Sequence, residues 1–289
     1  MKKVIGFIGT GVMGASMVGH LLAAGYTVNV YNRTKAKTEA LVEKGAIWKD
    51  SPKGIAESSD VIMTMVGYPY DVEDVYFNKD YGLVEYAKSG SILIDFTTST
   101  PSLAKTIYEE GKKKGLFAID APVSGGDVGA RNGTLTIMCG GDEKTFEECL
   151  PFMQAFGKNI VLQGPAGAGQ HTKMANQIAI VSGMMGVCEA ILYAEKAGLD
   201  PGRVIECISG GAAGSWSLSN YGPRILKGDF APGFYVKHFI KDLKIATDES
   251  KAMGLEMPGL TLAEKLYKEL AELGFDDRGT HALYKWYIR

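Results

Sequence analysis

The chain has 289 residues, of which 46% are hydrophobic and 22% are charged, and its formal net charge is -2. This composition is typical of a soluble globular protein. The lack of a basic block in the sequence argues against nucleic acid as a partner, and the length predicts two domains instead of one core.

A glycine-rich turn directly follows the first predicted strand. Val4 to Ile8 predicts a buried parallel strand and Ala15 to Ala24 a helix, with Gly9-Thr10-Gly11-Val12-Met13-Gly14 between them. The first glycine permits the tight turn, the second lets a pyrophosphate approach the backbone, and the third lets the helix pack closely on the strand. A plain turn is the alternative, but strand, turn and helix in this order predict a dinucleotide-binding site at a helix start.

The first half of the chain alternates apolar strands with helical segments. A helix is predicted at about Lys35 to Lys44. Further strands are predicted at Thr27 to Tyr31, Val61 to Val66, Ile92 to Asp95, Phe117 to Asp120, Leu135 to Gly140 and Ile160 to Leu162. The alternation predicts an α/β Rossmann-type, doubly wound parallel sheet with both faces covered. Ligands bind beyond the carboxyl ends of such strands, and we therefore assign Met65 and Val66 to the cofactor site.

The residues after the second strand bear on the choice of cofactor. Asn32-Arg33-Thr34 stands where an acidic residue would hold the ribose 2′-hydroxyl of NAD. The guanidinium of Arg33 instead suits a 2′-phosphate, and Asn32 and Thr34 can donate hydrogen bonds. A solvated arginine in a turn is the alternative. The sequence favours NADP, with NAD also possible because arginine can stack on adenine.

Two further loops are expected at the same edge of the sheet. In Asp95 to Pro101, the hydroxyls could line the nicotinamide and substrate, Thr98 among them, or Ser99 or Thr100 could cap a helix. After the strand that ends at Asp120, Ser124-Gly125-Gly126 could present backbone N–H groups to an anion, or form a loop without a ligand.

The character of the chain changes after Gly164-Pro165. Ala166 to about Ala197 has a helical composition and is apolar nearly all round, which predicts a central helix. Further helices are predicted at Pro201 to Ile208, Phe239 to Ala252 and Leu260 to Leu273. We expect a dinucleotide-binding domain over 1–164 and an all-helical domain over 165–289. The longest apolar stretch falls short of the roughly 20 residues of a membrane span, so we expect a cytoplasmic protein without a membrane partner.

Lys173 is the strongest candidate for a catalytic residue. Its ammonium would lie in apolar company, where burial is costly without partners. Desolvation lowers the pKa of a lysine toward neutrality, which suits proton transfer. Asn176 and Gln177 share its helix face. A surface lysine near a helix start is the alternative, but the polar residues around it on this apolar helix favour a site.

Other polar groups give weaker signals. Phe234, Lys241 and Asp242 could belong to a site or to an amphipathic helix with solvated charges. The four histidines lack metal-ligand spacing, so no metal is expected. The four cysteines lack C-x-x-C spacing and are interpreted as reduced core residues.

These motifs together resemble the β-hydroxyacid dehydrogenase family, which includes 3-hydroxyisobutyrate dehydrogenase, tartronate semialdehyde reductase and the glyoxylate/succinic semialdehyde reductases. The resemblance spans essentially the whole chain. It rests on the segments Gly6 to Gly14, Asn32 to Thr34, Asp95 to Thr98, Asp120 to Gly126, Gly167 to Lys173, and Lys241-Asp242.

The resemblance implies a role for each matching residue. Lys173 would be the catalytic lysine, Ser124, Gly125 and Gly126 would hold the substrate carboxylate, and Thr98 would lie beside the nicotinamide and substrate. Phe234, Lys241 and Asp242 would belong to the cofactor side of the closed site. The family usually has Asn four residues after the lysine, whereas this chain has Gln177 preceded by Asn176, which leaves the reaction class intact and the substrate open. The family also implies a homodimer or homotetramer.

Three other functions are weighed against this one. Imine reductases resemble the fold but commonly replace the lysine, and decarboxylating phosphogluconate dehydrogenases usually have a much longer helical region. A catalytically silent nucleotide-binding module would have lost Lys173, Ser124 or Thr98, and all three are present. We therefore predict a dehydrogenase acting on a small β-hydroxyacid or semialdehyde acid.

Overall fold

The computed structural model describes residues 3–289 and divides into two compact units. The first unit extends to Lys173 and the second covers Met174–Arg289. The boundary between these units falls inside one long helix, whereas the predicted domain boundary at 164/165 precedes that helix and stays a prediction.

The first unit is built on one sheet of nine strands. The strands are β1 (Ile5–Ile8), β2 (Val28–Tyr31), β3 (Ile47–Trp48), β4 (Val61–Thr64), β5 (Ile92–Asp95), β6 (Phe117–Asp120), β7 (Val123–Ser124), β8 (Leu135–Gly140) and β9 (Gly157–Gly164). Their order is β3-β2-β1-β4-β5-β6-β8-β7, with β9 beside β8. The strands from β1 to β6 pair in parallel, as do β8 and β9.

Helices connect these strands and cover both faces of the sheet. They are α1 (Val12–Ala23), α2 (Glu39–Val42), α3 (Pro52–Ser58), α4 (Pro69–Phe77), α5 (Leu83–Tyr86), α6 (Pro101–Lys113), α7 (Gly126–Asn132) and α8 (Glu143–Met153). Successive side chains of a strand point to opposite faces, and on β1 Phe7 belongs to one buried apolar cluster while Ile8 belongs to another. The predicted Rossmann-type fold is confirmed.

The structure corrects several details of the predicted first unit. The sheet is not wholly parallel, because β8 runs antiparallel to β6 and β7. The chain reverses between β7 and β8 through α7, which is flanked by glycines with positive φ, Gly125 and Gly126 at its start and Gly133 at its end. Helix α1 begins at Val12, earlier than predicted, because Gly11 already caps it. The segment predicted as one helix from Lys35 is a 3-10 turn, Lys35–Thr38, followed by the short α2.

The regular elements of the second unit are all helices, and the described residues add one isolated bridge between Tyr235 and Gly279. A helix of 29 residues, α9 (Ala168–Lys196), spans the unit boundary. It is followed by α10 (Pro201–Ser209), α11 (Trp216–Leu226), α12 (Val236–Ala252), α13 (Pro258–Leu270) and α14 (Leu283–Tyr287). Helix α11 was not predicted, because Pro223 inside it interrupts the helical pattern.

The burial of α9 differs from the prediction of a helix surrounded on all sides. Val181, Met184 and Cys188 are buried in the core of the second unit, whereas Ala179 and Gly183 are exposed. By length and composition alone, α9 could cross a membrane. A single helix of this kind is weak evidence for a membrane span, because core helices of soluble proteins meet the same criterion. Cys139, Cys149 and Cys188 are buried as predicted, whereas Cys207 is exposed.

The close approach of α1 to β1 generates a stability prediction. An added Cβ at Gly14 would lie 1.9 Å from the carbonyl oxygen of Gly9, whereas one at Gly19 on the same helix would meet nothing within 4 Å. Gly14→Ala should therefore lower the free energy of unfolding by about 2 kcal/mol or more through overpacking. Gly19→Ala should be neutral or raise it by up to about 1 kcal/mol.

Urea denaturation of the two variants and the wild type measures both effects. Equal stability of the two variants would contradict the tight packing of the turn on the helix.

Candidate active site

The predicted nucleotide turn has the space and the free donors that a pyrophosphate requires. Gly9 adopts φ +96 and lies against the backbone of Met65, where an added Cβ would be 2.1 Å from the carbonyl oxygen. Gly11 is the N-cap of α1, and an added Cβ there would meet nothing within 4 Å. The first N–H groups of a helix have no partner within the helix and favour anions. These residues therefore fit a dinucleotide.

The end of β2 is tied to this turn. The side-chain oxygen of Asn32 accepts a hydrogen bond from the Thr10 N–H at 3.1 Å, and its amide donates to the Thr34 carbonyl at 3.0 Å. Both polar ends of Asn32 are thus used within the loop, and the structure gives Asn32 a positioning role that the sequence did not indicate. Arg33 is mostly exposed, and a terminal nitrogen of its guanidinium lies 3.0 Å from an oxygen of Asp71.

The loops after β4 and β5 meet at the same edge of the sheet. The Val66 N–H donates to the Thr97 hydroxyl at 2.9 Å, and Thr98 follows half-buried. The hydroxyl of Thr100 accepts from the Leu103 N–H at 3.2 Å and caps α6. Of the two uses weighed for these hydroxyls, Thr100 therefore serves as the cap, and the role of Thr98 at the nucleotide site stays a prediction.

Asp120 fixes the start of α9 to the end of β6. Its two carboxylate oxygens accept hydrogen bonds from the N–H groups of Gly167 at 2.7 Å and Gln170 at 2.8 Å. Burial raises the pKa of Asp120 to about 6 against the opposing effect of these hydrogen bonds. Added Cβ atoms at Gly140 and Gly169 would approach Asp120 oxygens within 2.6–2.8 Å. The close approach of helix and strand therefore depends on glycine at both positions.

Lys173 lies near the start of the same helix and is 6% exposed. Its ammonium donates to the Val123 carbonyl at 2.8 Å. Val123 directly precedes Ser124, Gly125 and Gly126, so the structure brings the predicted catalytic lysine to the predicted carboxylate-binding turn. Gln170 joins this arrangement to the loop after β5, because its amide bonds to the Thr97 carbonyl at 2.7 Å and the Ser99 N–H at 3.0 Å.

Four predicted residues form a connected polar group within the second unit. The Gln177 amide donates to Asp242 at 2.5 Å, and its oxygen accepts from Asn176 at 2.8 Å. The Lys241 ammonium lies 3.0 Å from the other oxygen of Asp242. Gln177 and Asp242 are each 1% exposed. The alternative of solvated charges on an amphipathic helix is therefore wrong for Lys241 and Asp242.

The other predicted site residues have simpler surroundings. Phe234 is half-buried, with its ring edge-on to Phe239 at 5.4 Å. Within residues 3–289, no three His, Cys, Asp or Glu side chains form a group that could hold a metal ion.

Comparison with known proteins identifies the family of this chain. Residues 4–164 match the family model described as the NAD binding domain of 6-phosphogluconate dehydrogenase. Residues 167–287 match the model described as NAD-binding of NADP-dependent 3-hydroxyisobutyrate dehydrogenase. The chain is therefore similar to nicotinamide-dependent dehydrogenases along nearly its whole length.

Individual relatives give the same result. An uncharacterized oxidoreductase of Bacillus subtilis is 60% identical over 289 residues, with 100% of both chains covered. The 2-hydroxy-3-oxopropionate reductase of Escherichia coli is 38% identical, covering 93% of this chain and 92% of the relative. The structure of Mycobacterium tuberculosis 3-hydroxyisobutyrate dehydrogenase with L-serine is 28% identical, with a TM-score of 0.91 and 99% of each chain covered.

With this fold and these matches, the chain belongs to the β-hydroxyacid dehydrogenase family. It is an NAD(P)-dependent oxidoreductase that acts on CH–OH groups.

Asp95, a second buried carboxyl at the end of β5, generates a prediction about the pH dependence of stability. Burial raises the pKa of Asp95 to about 6, although the side chain accepts hydrogen bonds from Thr64 and Thr97. Because the pKa is higher in the folded state, the protonated form of Asp95 stabilises the fold relative to the charged form. This contribution to the free energy of unfolding is fully present below the ordinary pKa and is lost as pH rises through about 6.

Asp95→Asn keeps an oxygen acceptor and removes the buried charge. The free energy of unfolding of the variant minus that of the wild type should increase between pH 4 and pH 8 by on the order of 2–3 kcal/mol. One unit of pKa shift corresponds to about 1.4 kcal/mol. Urea denaturation at several pH values measures this difference, with Asp80→Asn as an exposed control. A difference that stays constant with pH would contradict the buried charge.

Proposed function

We propose that this protein transfers a hydride between a nicotinamide cofactor and a short β-hydroxyacid or its semialdehyde. The proposed natural pair is 3-hydroxyisobutyrate and methylmalonate semialdehyde. The observation that carries the proposal is the buried ammonium of Lys173, held at 2.8 Å from the Val123 carbonyl directly before Ser124-Gly125-Gly126. This juxtaposition puts a proton donor beside a turn suited to a carboxylate.

A nicotinamide cofactor held at the turn from Gly9 to Gly14 would supply or accept the hydride. In the reductive direction, the Lys173 ammonium donates a proton to the carbonyl oxygen as it becomes an alkoxide. In the oxidative direction, the neutral Lys173 amine removes the hydroxyl proton. The N–H groups at Ser124, Gly125 and Gly126 bind the substrate carboxylate and so fix which face of the carbonyl meets the cofactor.

The remaining site residues receive roles from the family resemblance and their local contacts. Thr98 lies beside the nicotinamide and substrate, and Asn176 and Gln177 contact the substrate. The Gln177 amide is bound to Asp242, which supports a role in shaping the pocket. Phe234, Lys241 and Asp242 contact the cofactor. The turn from Gly9 to Gly14 binds the pyrophosphate of the cofactor. Met65 and Val66 contact the nucleotide, and Asn32, Arg33 and Thr34 contact its ribose region.

NADP is the proposed preferred cofactor, with NAD also accepted. Arg33 stands at the end of β2, has a mostly exposed guanidinium, and has no acidic residue beside it in the chain. Its planar donors suit a 2′-phosphate. We also propose a cytoplasmic location.

A homodimer or homotetramer is the proposed assembly. Helix α9 exposes small residues along one face, and added Cβ atoms at Gly183 and Gly186 would meet nothing within 4 Å. Tyr193, further along α9, is 76% exposed. A close helix contact from another copy of the chain would cover this face.

Reduction of glyoxylate, or of succinic or tartronate semialdehyde, is the second candidate function. It is favoured by Gln177 in place of the family's usual Asn, because the extra methylene alters the size of the pocket. The similarity to 2-hydroxy-3-oxopropionate reductase supports it as well. A catalytically silent nucleotide-binding module is the candidate from another class, and the presence of Lys173 counts against it.

A substrate panel separates these candidates. We expect NADPH oxidation with the highest kcat/KM for methylmalonate semialdehyde, measured beside succinic semialdehyde, tartronate semialdehyde and glyoxylate, with NADH in parallel. A higher value for another aldehyde would replace the proposed substrate, and activity with NADH alone would overturn the proposed cofactor. Tight cofactor binding without turnover would favour the silent module.

Loss of the Lys173 amine should separate chemistry from cofactor binding. Lys173→Ala should lower kcat by roughly 10²–10⁴-fold, which is the usual contribution of general acid catalysis, and leave the NADPH dissociation constant unchanged. Lys144→Ala, an exposed lysine on α8, is the matched control. Stopped-flow kinetics and fluorescence titration of NADPH measure the two quantities, and near-normal turnover of Lys173→Ala would remove Lys173 from the mechanism.

A further inference from the structure

An ion pair links the end of β2 to the first turn of α4. A terminal nitrogen of Arg33 lies 3.0 Å from Oδ1 of Asp71, and the two side chains are 78% and 7% exposed. The sequence did not indicate this pair, because the two residues are far apart in the chain. The inference drawn from it rests on the proposed role of Arg33 in binding NADP.

Asp71 is the fixed member of the pair. It lies in the first turn of α4, and its second carboxylate oxygen accepts a hydrogen bond from the Tyr68 N–H at 3.1 Å, which caps the helix. The loop that precedes α4 begins at Met65, whose carbonyl packs against Gly9 of the nucleotide turn. A buried carboxylate is therefore held at a set position beside the cofactor edge.

Arg33 is the exposed member of the pair. Its backbone position is fixed by the bonds that Asn32 makes to Thr10 and Thr34, but its long side chain is mostly exposed. An unrestrained arginine loses much rotamer freedom when it binds a ligand. A contact that already restricts the side chain lowers that cost. The guanidinium has five N–H donors, and Asp71 approaches one terminal nitrogen, so other donors are available to a phosphate.

We propose that Asp71 is a positioning residue that orients Arg33 toward the 2′-phosphate of NADP. The carboxylate takes one side of the guanidinium fork and the phosphate takes another. Asp71 thereby increases discrimination between ligands with and without the 2′-phosphate, although it does not contact the ligand itself. A carboxylate that merely competed with the phosphate for Arg33 would have the opposite effect.

The test uses two small ligands that differ only in the 2′-phosphate, namely adenosine 2′,5′-bisphosphate and adenosine 5′-monophosphate. Isothermal titration calorimetry gives the ratio of their affinities for the wild type, Arg33→Ala, Asp71→Asn and the double variant. Asp71→Asn retains an oxygen for the Tyr68 N–H. It should lower the preference for the bisphosphate about threefold, in line with the modest strength of ion pairs in which one partner is solvent-exposed.

In the Arg33→Ala background, Asp71→Asn should cause no further change in this ratio, because the positioned group is absent. The control is Asp74→Asn on the same helix. Asp74 is bound to Asn78 and Tyr81, and its replacement should leave the ratio unchanged. A purely structural role of Asp71 would alter the melting temperature without altering the ratio.

Three results would overturn the proposal, and they differ in what else they remove. An unchanged or increased bisphosphate preference in Asp71→Asn would refute the positioning role while leaving Arg33 as the phosphate ligand. Equal effects of Asp71→Asn in both backgrounds would do the same. A wild type that binds the bisphosphate and the monophosphate equally well would refute both the positioning role and the proposed use of NADP. It would not decide whether the protein turns over hydroxyacids with NADH, which the substrate panel tests separately.

Discussion

The arrangement of the candidate site depends on one buried carboxylate. Asp120 ends β6, and its two oxygens hold the N–H groups of Gly167 and Gln170 at the start of α9. Gly167 directly precedes α9 and Gln170 lies in its first turn. Their N–H groups would otherwise be buried without partners, at a cost of roughly 1–3 kcal/mol each. Burial raises the pKa of Asp120 to about 6, so the carboxylate is mainly charged at neutral pH and binds both donors.

This cap determines where Lys173 can lie. Lys173 follows Gln170 by about one helical turn, and its ammonium binds the Val123 carbonyl, three residues after Asp120. The helix start and the segment from Asp120 to Ser124 are therefore joined at two points. Gln170 adds a third connection through the backbone of Thr97 and Ser99. A proton donor must be held precisely relative to the reacting atom, and these bonds supply that precision within the first unit.

Local patterns in the sequence were sufficient for much of this structure. Strands β5, β6 and β8 follow apolar runs, and the sequence predicts all three at their observed bounds. The nucleotide turn follows from glycines whose spacing and context are local. The two-residue strand β7 was missed because so short a segment has no periodicity. The pairs Arg33–Asp71 and Gln177–Asp242 join residues distant in sequence, and no local pattern indicates such partners. Asp120 belongs to a local motif in the sequence, but its capping role depends on the contact between the end of β6 and the start of α9, which joins residues distant in sequence.

The central claim is that the Lys173 ammonium is the proton donor in hydride transfer, and chemical rescue tests it most directly. Small primary ammonium ions such as methylammonium are added to Lys173→Ala during NADPH-dependent reduction of the preferred semialdehyde. The account predicts that turnover rises with ammonium concentration while the NADPH dissociation constant stays constant, because the added ion supplies the missing proton donor. Turnover that does not change at any ammonium concentration would contradict the account.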